Sequence, residues 1–111
     1  MEIFFRKEKT AKTMNSHAEM VKVFGERNAV FIERRMQVLR AASSLAEVPH
    51  TPPERRHELT GKMKGFFAVD AKHPKRIVFT PYHNPIPKKD DGGIDLERIT
   101  SIEIVDVEDY H

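Results

Sequence analysis

Cysteine is absent from the chain. That excludes disulfides, thiolate metal sites and a cysteine nucleophile, and it suits a reducing compartment. Long apolar runs are absent too: none approaches the ~20 residues needed to cross a bilayer. Met1-Glu2-Ile3-Phe4-Phe5-Arg6 has no basic segment leading into an apolar one, so no secretory leader is expected. The expectation is a cytoplasmic protein with no membrane attachment. There is no glycine-rich phosphate loop followed by Lys-Ser/Thr and no Gly-x-Ser-x-Gly elbow, so nucleotide hydrolysis and serine-hydrolase chemistry have no support. His57-Glu58-Leu59-Thr60-Gly61 opens like a zinc-protease helix, but Gly61 stands where the second histidine would be. None of the six histidines shares ligand spacing with another on one element. Neither a metal nor any other cofactor is expected.

What is present fits one domain spanning residues 1–111. A chain of this size buries roughly 65% of its unfolded surface, enough for a core without staples. The net charge of +2 conceals an imbalance: 16 Lys and Arg face 9 Asp and Glu up to Arg76, and 3 face 8 beyond it. Such a split is ordinary for a mixed solvated surface. It also suits a polyanion-binding face built from the first two thirds.

The order of elements follows from hydrophobic period and punctuation. Glu2 to Arg6 reads as a short strand, and the polar stretch Lys7 to Thr13 as a connection or frayed helical turn. Ser16-His17-Ala18-Glu19 is a capping box that opens a helix, and Gly25 is placed to stop it. Ala29, Ile32, Met36, Leu39, Ser43 and Ala46 recur at three- and four-residue spacing, which predicts a second helix from Arg27 to Glu47. Prolines 49, 52 and 53 then break the pattern. Thr51 to Glu54 has the makings of one more helical turn, and Arg55 to Gly65 reads as a loop or irregular strand entry. From Phe66 the period becomes two: a strand to Ala71, a turn at residues 72–75 and a return strand from Arg76 to Tyr82. His83 to Arg98 reads as a long, mobile surface connection. A last strand runs from Ile99 to Val107. Its apolar alternation shifts phase after Ile104, which means burial on both faces or a β-bulge near Ile104. The fold class is α+β: an N-terminal strand and a two-helix hairpin packed on one face of a small, mostly antiparallel sheet, the other face free for function.

The chemistry-bearing residues then fall into two groups. One is Asp109-Tyr110-His111, which follows the last strand as a polar head on a rigid stalk. The other is the basic stretch that holds Arg55, Arg56, His57, Lys62, Lys64 and Arg76. Metal-free cleavage of RNA needs a base for the 2′-hydroxyl, an acid for the leaving 5′-oxygen and cations for the phosphate charge that develops. Histidine titrates near working pH, and guanidinium suits phosphate. His111 is a candidate acid or base, Asp109 a candidate to orient or charge it, and Tyr110 a candidate to stack on a base. Composition and spacing alone stop at a basic α+β domain suited to RNA.

His57-Glu58-Leu59-Thr60-Gly61, Gly65, Arg76-Ile77-Val78-Phe79, Ile102 to Val107 and Asp109-Tyr110-His111, in that order, resemble the HigB branch of the RelE/ParE toxin superfamily. Arg35 to Leu45 fits that family's second helix. The resemblance implies a RelE-like fold and the toxin of a type II toxin–antitoxin system. It implies a ribosome-dependent, metal-free mRNA endonuclease (an mRNA interferase) that inhibits translation and is neutralised by a helix-turn-helix antitoxin. On this resemblance His111, Tyr110, Asp109, His57 and Arg76 are the catalytic set; Lys62, Lys64, Arg55 and Arg56, in the basic stretch, are the expected contacts to RNA phosphates. Thr60 stands where the family carries a lysine, which leaves Lys62 or Lys64 to take its part. The 83–98 connection is longer than the family hairpin. The superfamily also implies two alternatives: a non-enzymatic toxin that inhibits a topoisomerase by binding, and an inactive toxin-like protein that only binds a partner.

Overall fold

The computed structural model describes residues 1–110. One five-stranded sheet organises them, with β1 Glu2–Phe5, β2 His57–Glu58, β3 Phe67–Asp70, β4 Lys75–Pro81 and β5 Ser101–Asp109 in the order β1-β5-β4-β3-β2. All pairings are antiparallel except that of β1 with β5. Three helices, α1 Glu8–Met14, α2 His17–Phe24 and α3 Glu26–Ala41, accompany the sheet. The α+β arrangement read from the sequence is therefore present, with one helix more than expected.

That extra helix is α1, in the stretch expected to be a connection or a frayed helical turn. It has two turns and one buried apolar residue, Met14, too little for a periodic signal; Glu8 in its first turn and Lys12 in its last match the helix dipole. At α2 the predicted cap is in place: Ser16 Oγ accepts from the Glu19 amide at 3.3 Å. Gly25 ends α2 by donating to the Val21 carbonyl at 2.8 Å, and its own carbonyl accepts from Ala29 as α3 begins. One residue thus links the two helices.

The expected extent of α3 needs correction. It stops at Ala41, because Ala42 is extended. Glu47 then turns back to accept from the Ser43 amide at 2.5 Å, and the Leu45 amide donates to the Ile99 carbonyl at 2.9 Å. Leu45 is fully buried, but from a 3-10 turn (Leu45–Glu47) bound to the start of β5 and not from a helix. Its apolar character mimicked another helical turn.

The main core lies between helices and sheet. Ala29, Ile32, Met36 and Leu39 of α3 pack with Phe67 and Val69 of β3, Ile77 and Phe79 of β4, and Ile102 and Ile104 of β5. Phe67 and Phe79 stack at 6.0 Å. The opposite sheet face is not wholly open. Residues 59–66 fold back across it: Leu59 donates to the Phe66 carbonyl at 2.8 Å, Phe66 to the Met63 carbonyl at 3.0 Å, and Thr80 Oγ1 to the Gly65 carbonyl at 3.3 Å. Leu59, Ala68 and Val78 form a second, small core under this roof, flanked by Met63, Phe66 and Val105. The 83–98 connection is likewise built into the fold. Lys88 and Ile94 bridge, and Ile86, Ile94 and Leu96 pack against the main core.

The β4–β5 ladder holds the feature that decides the site. Phe79 pairs with Ile104, but Val78 pairs with Asp106, so Val105 is an extra residue in β5. A bulge shifts side-chain phase by one. Ile104 and Val107 both face the main core although three positions separate them. Glu108 and Tyr110 therefore fall on the face away from the helices, beside Arg76.

Gly25 sits at φ 87°, ψ 155°, a region open essentially to glycine alone. A Cβ there would meet nothing within 4 Å. Gly25→Ala is expected to cost about 1–3 kcal/mol from backbone strain alone, measured as a lower urea midpoint with an unchanged slope.

Candidate functional site

β3 and β5 end and β4 begins beside the 71–74 turn, and their residues there on the roofed side converge. Asp70 pairs across with Arg76, and Arg76 with Glu108. Tyr110, one step past β5, is held by its amide, which donates to the Pro74 carbonyl at 2.9 Å. Its hydroxyl donates to Asp70 Oδ1 and accepts from an Arg55 terminal nitrogen at 2.7 Å. Arg55 Nε donates to Asp70 Oδ2, also at 2.7 Å. Arg55, Asp70 and Tyr110 thus form a closed triangle joining the 51–56 loop, β3 and the chain after β5.

The Tyr110 ring is the platform on which the other groups rest. The Arg76 guanidinium lies 4.6 Å from its centroid and that of Arg55 5.5 Å. The His57 ring stacks with it at 6.4 Å and 16°. His57 Nδ1 lies 2.8 Å from the Arg55 carbonyl oxygen. Because a carbonyl only accepts, Nδ1 carries the proton in the neutral ring and Nε2 is the nitrogen left to accept one.

Two backbone details hold the triangle. Arg55 has φ 47°, in the left-handed region where a side chain costs about 1–3 kcal/mol. The Arg55 amide donates to the Thr51 carbonyl at 2.9 Å and the Asp70 amide to the Glu54 carbonyl at 2.8 Å, which fixes this turn against β3. From the helix side Arg35 of α3, only 7% exposed, donates through Nε to the Asp70 carbonyl at 2.6 Å. Asp70 is thus gripped at its amide, its carbonyl and its carboxylate.

The electrostatics follow from this packing. Burial alone pushes the Asp70 carboxyl up, but hydrogen bonds from Arg55 and Tyr110 outweigh it and leave the group below the usual carboxylate range. Burial and the Asp70 carboxylate push the Tyr110 phenol up. The hydrogen bond to Asp70 raises Arg55 further. Arg76 is paired with Glu108, at 3.0 Å through Nε and 2.6 Å through a terminal nitrogen. Both guanidiniums in the cluster therefore meet a carboxylate in the free protein.

Of the residues singled out in the sequence, the structure brings together Tyr110, His57, Arg76 and Arg55. It places others elsewhere. Asp109 alternates to the opposite face of β5 and pairs with Lys75 at 2.7 Å, away from Tyr110, because the bulge reverses the phase. Arg56 is half-buried and donates to the Val48 carbonyl at 2.9 Å, and burial lowers its pKa, so it is a structural tie and not a free cation. Lys62 and Lys64 are exposed on the roof, on and just after the 3-10 turn Gly61–Met63, and neither has an ion-pair partner among the described residues. His111 lies outside the described residues. Sequence reasoning missed Asp70, Glu108 and Arg35. The hairpin register could have found Asp70, since a turn centred on His73 puts it opposite Arg76.

The Arg55–Asp70–Tyr110 triangle makes stability depend on pH at both ends. Asp70, lowered in the fold, contributes fully above the ordinary carboxylate pKa of ~3.9, and the contribution is lost as pH falls through its folded value. Tyr110, raised in the fold, contributes fully below ~10, and its share is lost as pH rises through its folded value. Asp70→Asn is expected to destabilise by about 1–2 kcal/mol at pH 7 and to converge with wild type in strong acid. Tyr110→Phe should blunt the alkaline edge. Thermal melts from pH 2 to 11 give both.

Neither a protein-family model nor a curated relative matches the chain. Solved structures do. A YoeB/ParE toxin from Agrobacterium tumefaciens superposes with a TM-score of 0.59 at 11% identity over 100% of both chains. The YoeB–YefM complex from Staphylococcus aureus gives 0.55 at 13% identity, over 100% of this chain and 97% of the other. At such identity the likeness is one of fold: the chain has the fold of the YoeB/ParE toxins.

Proposed function

We propose that this protein is the toxin of a toxin–antitoxin pair and that it cleaves messenger RNA on the ribosome, as the HigB-like reading of the sequence implies. The observation that carries the proposal is the convergence of His57, Arg55 and Arg76 around the Tyr110 ring, a histidine whose Nε2 has no hydrogen-bond partner among the described residues, beside two guanidiniums. In this reading His57 Nε2 takes the proton of the 2′-hydroxyl as its oxygen attacks phosphorus. The 5′-oxygen leaves with a proton from His111, which gives a 2′,3′-cyclic phosphate and a 5′-hydroxyl end. Arg76 and Arg55 hold the non-bridging oxygens, and Lys62 and Lys64 on the roof attract the strand. Tyr110 positions the histidine and both guanidiniums. The partner that silences this site is an antitoxin, of the helix-turn-helix type in the HigB-like reading.

One observation favours a second reading. Asp70 and Glu108 already neutralise both guanidiniums, which suits a toxin that acts by binding a protein and not by cleaving RNA. Inhibition of a topoisomerase belongs here.

Induced expression in a bacterial host, with messenger 5′ ends mapped, separates the two readings. The expected result is growth arrest with new 5′-hydroxyl ends on translated messages. His57→Ala, Arg76→Ala and removal of His111 should each lower cleavage by about 10²–10⁴ while the protein stays folded. Unchanged cleavage in all three would overturn the site assignment, and arrest with altered supercoiling but intact messages would favour the second reading. A further variant weighs the self-neutralisation. Glu108→Gln frees Arg76 and should tighten binding of a short RNA about tenfold at low salt, with a steeper salt dependence.

A further inference from the structure

At the far end of β4 from the Tyr110 cluster, the same sheet face carries two exposed aromatic rings. Phe4 is 39% exposed and Tyr82 50%. Their centroids lie 4.5 Å apart at 32°, so Phe4 backs Tyr82. Beside the pair lies a cleft of about 320 Å³ lined by Pro81, Tyr82, His83 and Asn84. The corner is braced: His83 Nε2 accepts from the Thr100 and Ser101 amides at 3.1 and 3.3 Å, and the Tyr82 amide donates to the Ser101 carbonyl at 2.9 Å.

We infer that this corner is a subsite for an unstacked nucleobase of single-stranded RNA. Tyr82 offers a ring face for stacking, and the exposed amide of Asn84 offers both a donor and an acceptor to a base edge. Tyr82 lies six residue steps along the chain from Arg76, roughly 20 Å, which a stacked strand spans in about six nucleotides at ~3.4 Å each. Arg6 lies along that path, its guanidinium 5.5 Å from the Phe66 ring. Of the two carboxylates by the aromatic pair, Glu103 is neutralised by Arg6 at 2.8 Å, and Glu2 accepts from Ser101 Oγ at 3.4 Å. The corner is aromatic and keeps one carboxylate, Glu2, with no cationic partner among the described residues, which fits a base better than a phosphate. The inference rests on the RNA reading proposed above and names how the strand is held away from the cut.

The test uses RNA length. The full-length protein is titrated with a dinucleotide and an octanucleotide, followed by fluorescence anisotropy of an end label. The octanucleotide, which reaches both places, should bind about tenfold or more tighter. Tyr82→Ala should remove most of that gain and leave dinucleotide binding unchanged, whereas Tyr82→Phe should keep it, because stacking needs only the ring. Asn84→Ala should change which bases are preferred in the octanucleotide. Thermal melts verify that the half-exposed Tyr82 can be replaced without unfolding. Equal octanucleotide affinity for wild type and Tyr82→Ala, or no RNA binding by wild type, overturns the subsite. So does a Tyr82→Ala defect confined to a protein partner. Cleavage of messages with length-independent binding would sink the subsite alone, and length-dependent binding without cleavage would sink the cleavage reading alone.

Discussion

One extra residue in one strand sets the geometry of the whole site. With Val105 out of register, β5 presents Ile102, Ile104 and Val107 to the helices and still turns Glu108 and Tyr110 toward Arg76. A regular strand would bring Tyr110 to the helix side and Asp109 to the cluster. The apolar pattern enforces the bulge. Ile104 and Val107 both gain by burial in the main core, and no regular alternation satisfies both. Core packing and site geometry are therefore one constraint.

The cluster that results is held from three directions and is electrically quiet. Arg35 reaches Asp70 from α3, Arg55 reaches it from a left-handed turn, and Tyr110 closes the figure. A strained residue at such a point needs surroundings that over-determine it, and the bonds at Thr51, Glu54 and Asp70 do so. Each guanidinium faces a carboxylate, so the free protein presents little net charge where a polyanion would bind. Selectivity for a ligand able to displace Glu108, such as a phosphate in a fixed pose, follows from that competition.

The fold was legible where period and punctuation agreed. Ser16 and Gly25 bounded α2, the Phe66–Tyr82 alternation gave the central hairpin, and the phase slip after Ile104 left a bulge as one of two readings, between which the register decides. It was misread where an apolar residue imitated a period. Leu45 looked like another turn of α3 but is buried from a non-helical segment tied to Ile99. Met14 alone was too little to declare α1. At the site, His57, Arg76, Tyr110 and Arg55 could be named from residue type and order. Asp70 and Glu108 could not, since a carboxylate at a strand end looks solvated until the register shows what faces it. Asp109 and Arg56 were misplaced for the same reason: one depends on strand phase, the other on a tertiary carbonyl at Val48.

The pairing of β1 with β5 has a bearing on how the protein comes into being. Glu2 to Phe5 has a single neighbour in the sheet, and that neighbour begins at Ser101. During synthesis β1 has no partner until the residues from Ser101 onward have emerged, and a contact of such sequence separation is slow to form. The same late strand delivers Tyr110. Completion of the sheet and closure of the Arg55–Asp70–Tyr110 triangle are therefore one late event, because both wait for β5.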